Sequence, residues 1–297
     1  MKTEKNILIA FLLNITFSIF ELFGGIFTNS IAIISDAVHD VGDAISIGIS
    51  YFLEKKSKKK PDNKYTFGYT RYSILGAFIT NTILITGSIL VIFHAIERIK
   101  KPELINYNGM LVLAMFGVTI NFLAAYFTRE GRSLNQKAVN LHMLEDVLGW
   151  LIVLIGAIVI RFTKFNMLDS IMSIGVAIFV LYHALKSFKE ILDLFLEKTP
   201  NGIEIEKLKK HLTSIENVTN IHHIHIWSMD GINNYATLHV VTDIENIIEL
   251  KNKIKEELKE HGINHSTVEI EQKGYECNEI ECVVEHENKQ GHHHQHH

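Results

Sequence analysis

The stretch SDAVHDVGDA, residues 35–44, places ionisable side chains inside an apolar segment. These side chains belong to Asp36, His39, Asp40 and Asp43. The surrounding run, residues 31–53, contains no Lys or Arg and is long enough to cross the ~30 Å hydrocarbon core of a membrane as a helix. Ionisable groups in such a helix cost roughly 3 kcal/mol each on insertion scales. The stretch therefore predicts a transmembrane helix in which ionisable residues serve a function.

Further apolar segments of similar length occupy the first two thirds of the chain: residues 7–27, 73–96, 107–128, 138–160 and 167–185. The first follows Lys2 and Lys5 as a signal peptide would, but it is too long and no small-residue cleavage site is evident after it. We interpret it as a transmembrane helix. The chain is charged from Lys198 onward and has no such segment there. The pattern predicts an α-helical membrane domain with six transmembrane helices (1–198), a C-terminal domain (199–275) and a disordered Cys/His-rich tail (276–297).

The distribution of Lys and Arg predicts the orientation of the chain. An even number of helices puts both termini on one side, and that side carries most of the basic residues, including the run KKSKKK at 55–60. The positive-inside bias then predicts that both termini and the C-terminal domain are cytoplasmic. The basic run has an alternative interpretation as a lipid or phosphate patch. Richness in Lys, Ile and Asn favours a bacterial or archaeal source, and hence a prokaryotic plasma (inner) membrane. The net charge of −4 says little about nucleic acid, and we expect no nucleic-acid partner.

The C-terminal domain shows the pattern of a small α+β fold. Apolar residues recur at helical spacing over 203–215, and two strand-like runs, VTNIHHIHIWSM and NYATLHVVT, follow. A charged amphipathic helix at about 245–261 ends at Gly262, and HSTVEIE forms a last short strand. The order αββαβ predicts a ferredoxin-like sandwich with both helices on one face of the sheet.

Two of the apolar segments carry the same pair of metal-ligating residue types. His39 and Asp43 are four residues apart, and LHMLEDVLGW repeats this spacing with His142 and Asp146, so each pair lies on one helix face. Two imidazole nitrogens and two carboxylate oxygens suit a tetrahedral divalent ion, which would be zinc, cadmium or cobalt. The alternative is a buried His–Asp hydrogen bond within each helix.

Neighbouring polar residues leave alternatives open. Asp36 either orients a ligand and relays protons or is solvated in a vestibule, whereas Asp40 and Glu145 are rotated by ~100° from their neighbouring ligands, away from the expected ion. Asn14, Glu21 and Asn121 either face the ion pathway or form packing hydrogen bonds.

Two other classes of protein fit part of the pattern. An intramembrane zinc metalloenzyme needs an open coordination position and a general base, often within His-Glu-x-x-His, and this motif is missing from the sequence. A membrane-anchored metal sensor would leave the intramembrane ligands unexplained. Four protein ligands suit carriage better than catalysis, so we expect a transporter and not an enzyme.

The order of these segments resembles the cation diffusion facilitator family of divalent-metal transporters. The resemblance runs from about Asn6 to Glu271 and rests on SDAVHDVGDA, YTFGYTRYSILGAF, SLNQKAVNLHMLEDVLGW, IHHIHIW and HSTVEIE. A His-xxx-Asp pair in each of the second and fifth segments is similar to the zinc-transporting branch, whereas members that move manganese or iron tend to have Asp in place of these His. The resemblance implies export of Zn2+ from the cytoplasm in exchange for protons, and a homodimer.

The resemblance also implies two sets of metal ligands. His39, Asp43, His142 and Asp146 correspond to the transport site. A second site, in the cytoplasmic domain, has Zn2+ as a candidate regulatory ion. Its ligands in some members correspond to His222, His239 and Glu271, and in others to His265. Some relatives also use cysteines of the tail, which correspond to Cys277 and Cys282. Where some members have a further His site between the second and third segments, this chain has Tyr65 and Tyr69, so no metal is expected there.

Strand alternation leaves the role of His222 open. It places His222 on one face with Ile224 and Ile226, which favours a residue in the sheet core, whereas the resemblance favours a ligand. The final HENKQGHHHQHH has two interpretations, a native metal-scavenging tail or a purification remnant, and the interrupting Gln295 favours the first.

Overall fold

The structure is a computed structural model that describes residues 2–28, 31–100, 107–130, 133–163, 167–244, 246–275 and 277. The chain divides into two compact units, one with the long N-terminal helices and one with the strands and short helices. The first contains α1 (Lys2–Thr28), α2 (Ile31–Ser57), α3 (Arg71–Lys100), α4 (Tyr107–Thr128), α5 (Leu134–Thr163) and α6 (Met167–Phe195). The second contains α7 (Ile205–Thr213), β1 (Asn220–Ser228), β2 (Asn234–Thr242), α8 (Ile247–Glu260) and β3 (Ile263–Gln272).

The helices α1 to α6 cover the six apolar segments of the sequence, each of which is helical as expected. Within the described residues, the segments that combine spanning length with few charges are Glu4–Gly24, Arg71–Glu97 and Leu134–Gly156. The helical fold of this unit is thus confirmed, and the count of six transmembrane helices stays a prediction.

The six helices expose apolar residues and bury polar ones. Phe52 and Phe93 are 68% and 58% exposed, whereas Asn14, Glu21 and Asp43 are almost fully buried. Soluble proteins rarely expose broad apolar surfaces, because removing them from water is favourable. A hydrocarbon solvent removes this penalty, and the pattern therefore indicates a unit surrounded by lipid.

Small residues allow four of the helices to pack closely around one core. Ala10 of α1, Ala124 and Ala125 of α4, and Val139 and Met143 of α5 contribute buried side chains to it, together with Ile47 of α2. A separate cluster joins α3 to α6 through Leu84, Val180 and Ala184. Asp43 of α2 and His142 and Asp146 of α5 belong to two of the four helices that form this core.

Gly117 permits a close approach between α4 and α5. A Cβ atom added at this position would lie 2.4 Å from Cδ2 of Trp150, which packs edge-on against Phe17 with ring centroids 5.3 Å apart. The Trp150 ring lies between Gly117 and Phe17, so α4 and α5 would have to move apart to accept a side chain at Gly117.

We expect Gly117→Ala to destabilise the helical unit by about 1–3 kcal/mol, because overpacking displaces the Trp150 ring. Gly149→Ala in α5 is the matched control, since no described atom lies within 4 Å of its added Cβ. Thermal unfolding in detergent, followed by circular dichroism, measures both. An unchanged Tm for Gly117→Ala would contradict the close packing.

The second unit has the predicted αββαβ order. Its strands pair in the order β1-β2-β3, with β1 antiparallel and β3 parallel to β2. Leu208 and Leu212 of α7 and Ile254 of α8 share one core with Leu238 and Val240 of β2, so both helices cover the same face of the sheet. The α+β fold with its helices on one face is confirmed.

A β-bulge in β1 overturns the expected strand alternation. The pairing with β2 shifts between His222 and His225, and His223 has a φ of 50°. The extra residue moves the following side chains to the other face. As a result Ile221 and Ile226 both join the core, whereas His222 pairs with His239 on the opposite face of the sheet. The prediction that His222 shares a face with Ile226 was wrong.

Candidate metal sites

Three of the four ionisable residues predicted to bind metal in the helices meet in the structure. One ligand atom each from Asp43, His142 and Asp146 lies within 4.8 Å of the other two. The Nε2 atom of His142 is 3.7 Å from Oδ2 of Asp43, although the two residues belong to different helices. The helical period aligns His142 with Asp146 on α5, and the packing of α2 against α5 adds Asp43.

The side chain of His39 lies outside the described part of the structure. Its backbone belongs to α2, one helical turn before Asp43. The side chain of Asp36 also lies outside that part, so its two alternatives stand as they were.

The His142 ring is a buried polar group with unused ligand atoms. The residue is 4% exposed, and neither ring nitrogen has a hydrogen-bond partner among the described residues. Buried polar groups are normally satisfied, because losing hydration without replacement costs free energy. An imidazole with free nitrogens beside two carboxylates has the donor set of a zinc-class ion.

Asn14 of α1 contacts the same site. Its Nδ2 atom donates a hydrogen bond of 3.4 Å to Oδ2 of Asp146, and Asn14 is 1% exposed. The bond joins Asn14 to a predicted ligand and is also a packing hydrogen bond between α1 and α5, so both roles considered for Asn14 stand. A polar residue that orients a ligand carboxylate is typical of metal sites.

Glu145 lies nearer the site than its helical rotation predicts. Its Oε2 atom is 3.9 Å from Nδ1 of His142, one turn earlier on the same helix face. The long Glu side chain reaches back along α5, which an argument from backbone angle does not capture. Asp40 and Glu21 are not part of the three-residue cluster. Asn121 is buried, and its Oδ1 has no hydrogen-bond partner among the described residues.

A second cluster lies on the sheet face opposite α7 and α8. It consists of His222 from β1, His239 from β2, Glu271 from β3 and Cys277 just beyond β3, with ligand atoms within 4.8 Å of one another. The His222 Nε2 atom is 3.0 Å from the Cys277 sulfur and 3.2 Å from Oε2 of Glu271. Nδ1 of His239 is 2.7 Å from Oε1 of Glu271. Two imidazoles, a carboxylate and a thiol form a complete tetrahedral ligand set for zinc.

Hydrogen bonds hold Glu271 in its ionised form. Burial by itself would raise the pKa of this carboxyl, but contacts with His239, the backbone N–H of Cys277 and the nearby His222 lower the pKa below its usual range. An ionised carboxylate is the form that binds a metal ion.

The structure does not bring His265 to this cluster. His265 pairs with Tyr235, and the two rings are 5.3 Å apart. Glu271 lies six positions further along β3, a distance of about 20 Å at the usual rise of a strand. Cys282 and the His-rich tail lie outside the described residues.

The loop between α2 and α3 uses its tyrosines for its own structure. The Tyr69 hydroxyl donates a hydrogen bond of 2.7 Å to Asp62, whose other oxygen accepts bonds from the backbone N–H groups of Lys64 and Tyr65. The Tyr69 bond first, and then these backbone bonds, lower the pKa of Asp62 well below its usual range. Tyr65 and Tyr69 thus stabilise the turn.

The chain belongs to the cation efflux family, an integral membrane family of transporters and not of enzymes. Residues 7–196 match the cation efflux transmembrane domain, and residues 200–273 match the cytoplasmic domain of cation efflux proteins. These two matches extend over both structural units.

Curated relatives match nearly the whole chain. The cadmium, cobalt and zinc/H(+)-K(+) antiporter of Bacillus subtilis is 34% identical over 98% of this chain and 96% of the relative. Zinc transporter ZitB of Yersinia pestis is 33% identical over 99% of this chain and 95% of the relative. Metal cation efflux system protein CzcD of Cupriavidus metallidurans is 33% identical over 90% of this chain and 86% of the relative.

Proposed function

We propose that this protein exports Zn2+, and with it Cd2+ or Co2+, from the cytoplasm in exchange for protons. The ion binds to His39, Asp43, His142 and Asp146 within the membrane. The names of the relatives support the metals and the proton exchange. The observation that carries the proposal is the buried cluster of Asp43, His142 and Asp146, in which the imidazole nitrogens are free to bind an ion.

Competition between protons and metal at the same atoms provides the coupling. A divalent ion binds neutral imidazoles and ionised carboxylates, and protonation removes both kinds of ligand. An imidazole ordinarily titrates near pH ~6.5, so modest changes in pH on either side of the membrane alter its occupancy. The deprotonated site loads zinc from the cytoplasm, the helices rearrange, and protons from outside displace the ion.

The cytoplasmic unit has a regulatory role in this proposal. Its four-residue cluster binds Zn2+ when the cytoplasmic concentration rises, and it does so within a homodimer formed partly through this unit. Both termini face the cytoplasm, residues 1–198 carry the ion, residues 199–275 sense it, and the tail from residue 276 captures it.

Flux through the purified protein tests the proposal. The protein is reconstituted in liposomes with a pH gradient, a zinc-sensitive dye and an internal pH dye. We expect zinc to move only when protons move in the opposite direction, and cadmium and cobalt to compete with it. Zinc binding without flux in either direction would overturn the proposal and favour a metal sensor.

Cobalt spectroscopy tests the cytoplasmic site separately. We expect Cys277→Ser to abolish the sulfur-to-cobalt charge-transfer band of the protein and to weaken zinc binding at this site by more than about 100-fold, because a lost thiolate ligand costs more than a lost supporting residue. His265→Ala is the control and should leave the band unchanged, since His265 lies away from the cluster. A band that survives in Cys277→Ser would show that this sulfur is not a ligand.

A further inference from the structure

A third group of metal-ligating side chains lies on the helical layer of the cytoplasmic unit. It consists of His211 in the last turn of α7, Glu257 in α8 and His261 just after α8. Nδ1 of His211 is 2.9 Å from Nε2 of His261 and 3.4 Å from Oε1 of Glu257. Nε2 of His261 is 3.2 Å from the same Glu257 oxygen. Three atoms of ligand type therefore form a compact triangle.

The size of this triangle fits a tetrahedral zinc-class ion. Ligand atoms at 2.0–2.1 Å from a tetrahedral ion lie about 3.3 Å from each other. The three observed separations of 2.9, 3.2 and 3.4 Å are close to that value. An ion placed slightly above the triangle can contact all three atoms without a change of backbone.

The ends of two helices favour a positive charge at this position. His211 lies at the C-terminal end of α7, and His261 is the C-cap residue of α8, where the carbonyl groups carry partial negative charge. Gly262, with a φ of 79°, ends α8 and turns the chain into β3 as its sequence predicts. The same turn holds His261 one helical turn beyond Glu257, so both side chains lie on one face.

The hydrogen bonds of the metal-free cluster compete for the same protons. Nδ1 of His211 faces both Nε2 of His261 and the Glu257 carboxylate, and a neutral ring nitrogen carries at most one proton to share between them. Two imidazole nitrogens at 2.9 Å need a proton between them, whereas a bound cation satisfies all three groups at once.

We propose that His211, Glu257 and His261 form a second cytoplasmic zinc-class site, with one coordination position open to solvent. The His211 side chain is 58% exposed, so water or an exchanging ligand reaches the fourth position. The site joins α7 to α8 on the outer side of the helices, whereas His222 and His239 lie across the sheet from them. An open shell of three protein ligands exchanges zinc faster than the closed four-ligand set.

The number of zinc ions bound per chain tests this proposal. The protein used contains both units and is truncated after Glu285, which removes the His-rich tail. Equilibrium dialysis against Zn2+ followed by atomic spectroscopy gives the stoichiometry. We expect His211→Ala to lose one zinc per chain. His225→Ala is the matched control, an exposed His of β1 outside all three clusters, and should lose none.

Glu257→Gln provides a second test that keeps the shape of the side chain and lowers its ability to bind a cation. We expect this variant to lower the affinity for the same zinc ion by at least tenfold and to leave the thermal unfolding of the metal-free protein unchanged. Equal zinc stoichiometry in His211→Ala and His225→Ala, with unchanged affinity in Glu257→Gln, would overturn the proposal. The measurement concerns bound zinc in the cytoplasmic unit, so its outcome is independent of transport through the membrane.

Discussion

Replacing Asp43 or Asp146 with Asn will reduce zinc flux in proteoliposomes by more than about 100-fold. The carboxylate oxygen of each residue lies within the cluster of ligand atoms, and an amide offers a neutral, weaker ligand at the same place. Loss of residues that only support a metal ligand already costs about 10- to 100-fold, and a lost ligand costs more. The effect is on ion binding, so purified variants will bind less zinc and transport less.

Asp40→Asn is the matched control, because Asp40 belongs to α2, as Asp43 does, and is not part of the cluster of ligand atoms. We expect it to keep flux within a few-fold of the original protein. All three variants should elute from a sizing column in detergent as the original protein does. Flux at the original rate in both Asp43→Asn and Asp146→Asn would refute the proposed ion path.

Exchanging His142 for Asp will change which metal is transported. The substitution replaces a buried imidazole nitrogen with a harder carboxylate oxygen and leaves more space, since Asp is smaller than His. Carboxylate and water ligands suit Mn2+, whereas imidazole suits zinc. We expect the ratio of zinc to manganese flux to fall by at least about tenfold, measured with each metal alone and with both in competition.

His94→Asp makes the same chemical change at an exposed position of α3 and should leave the ratio unchanged. A variant His142→Asp that carries zinc and manganese in the original proportion would show that His142 does not set selectivity. A variant that binds neither metal would show that His142 is a ligand that no carboxylate replaces, and the selectivity argument would fail.

Within the helical unit, periodicity alone was enough to place His142 beside Asp146. His142 and Asp146 share a face of α5 because four residues make slightly more than one turn. Which faces of α4 and α5 meet depends on small residues of α4 such as Ala124 and Gly117, which let the two helices approach. The contact of Asn14 with Asp146 joins residues 132 positions apart, and no local pattern predicts it.

In the cytoplasmic unit, sequence periodicity failed at one residue. Alternation counts every residue of a strand once, so it assigned His222 to the face of Ile226, but the bulge at His223 adds a residue that has no partner in β2. The side chains on either side of the bulge consequently exchange faces. Strand alternation alone could not assign His222 to the sheet face of His239, which requires the pairing register.

The amino-acid sequence by itself determined the helical membrane unit, the αββαβ order of the cytoplasmic unit and the two His-xxx-Asp pairs. These features depend on hydropathy, on turn residues and on spacing within one element, which are local properties of the chain. The tertiary structure decided which distant side chains share a site: Asp43 with His142, Cys277 with His222, and His211 with His261. Such contacts arise from helix packing, strand register and chain reversals. These bring together residues that are far apart in the sequence, where no periodic pattern predicts the contact.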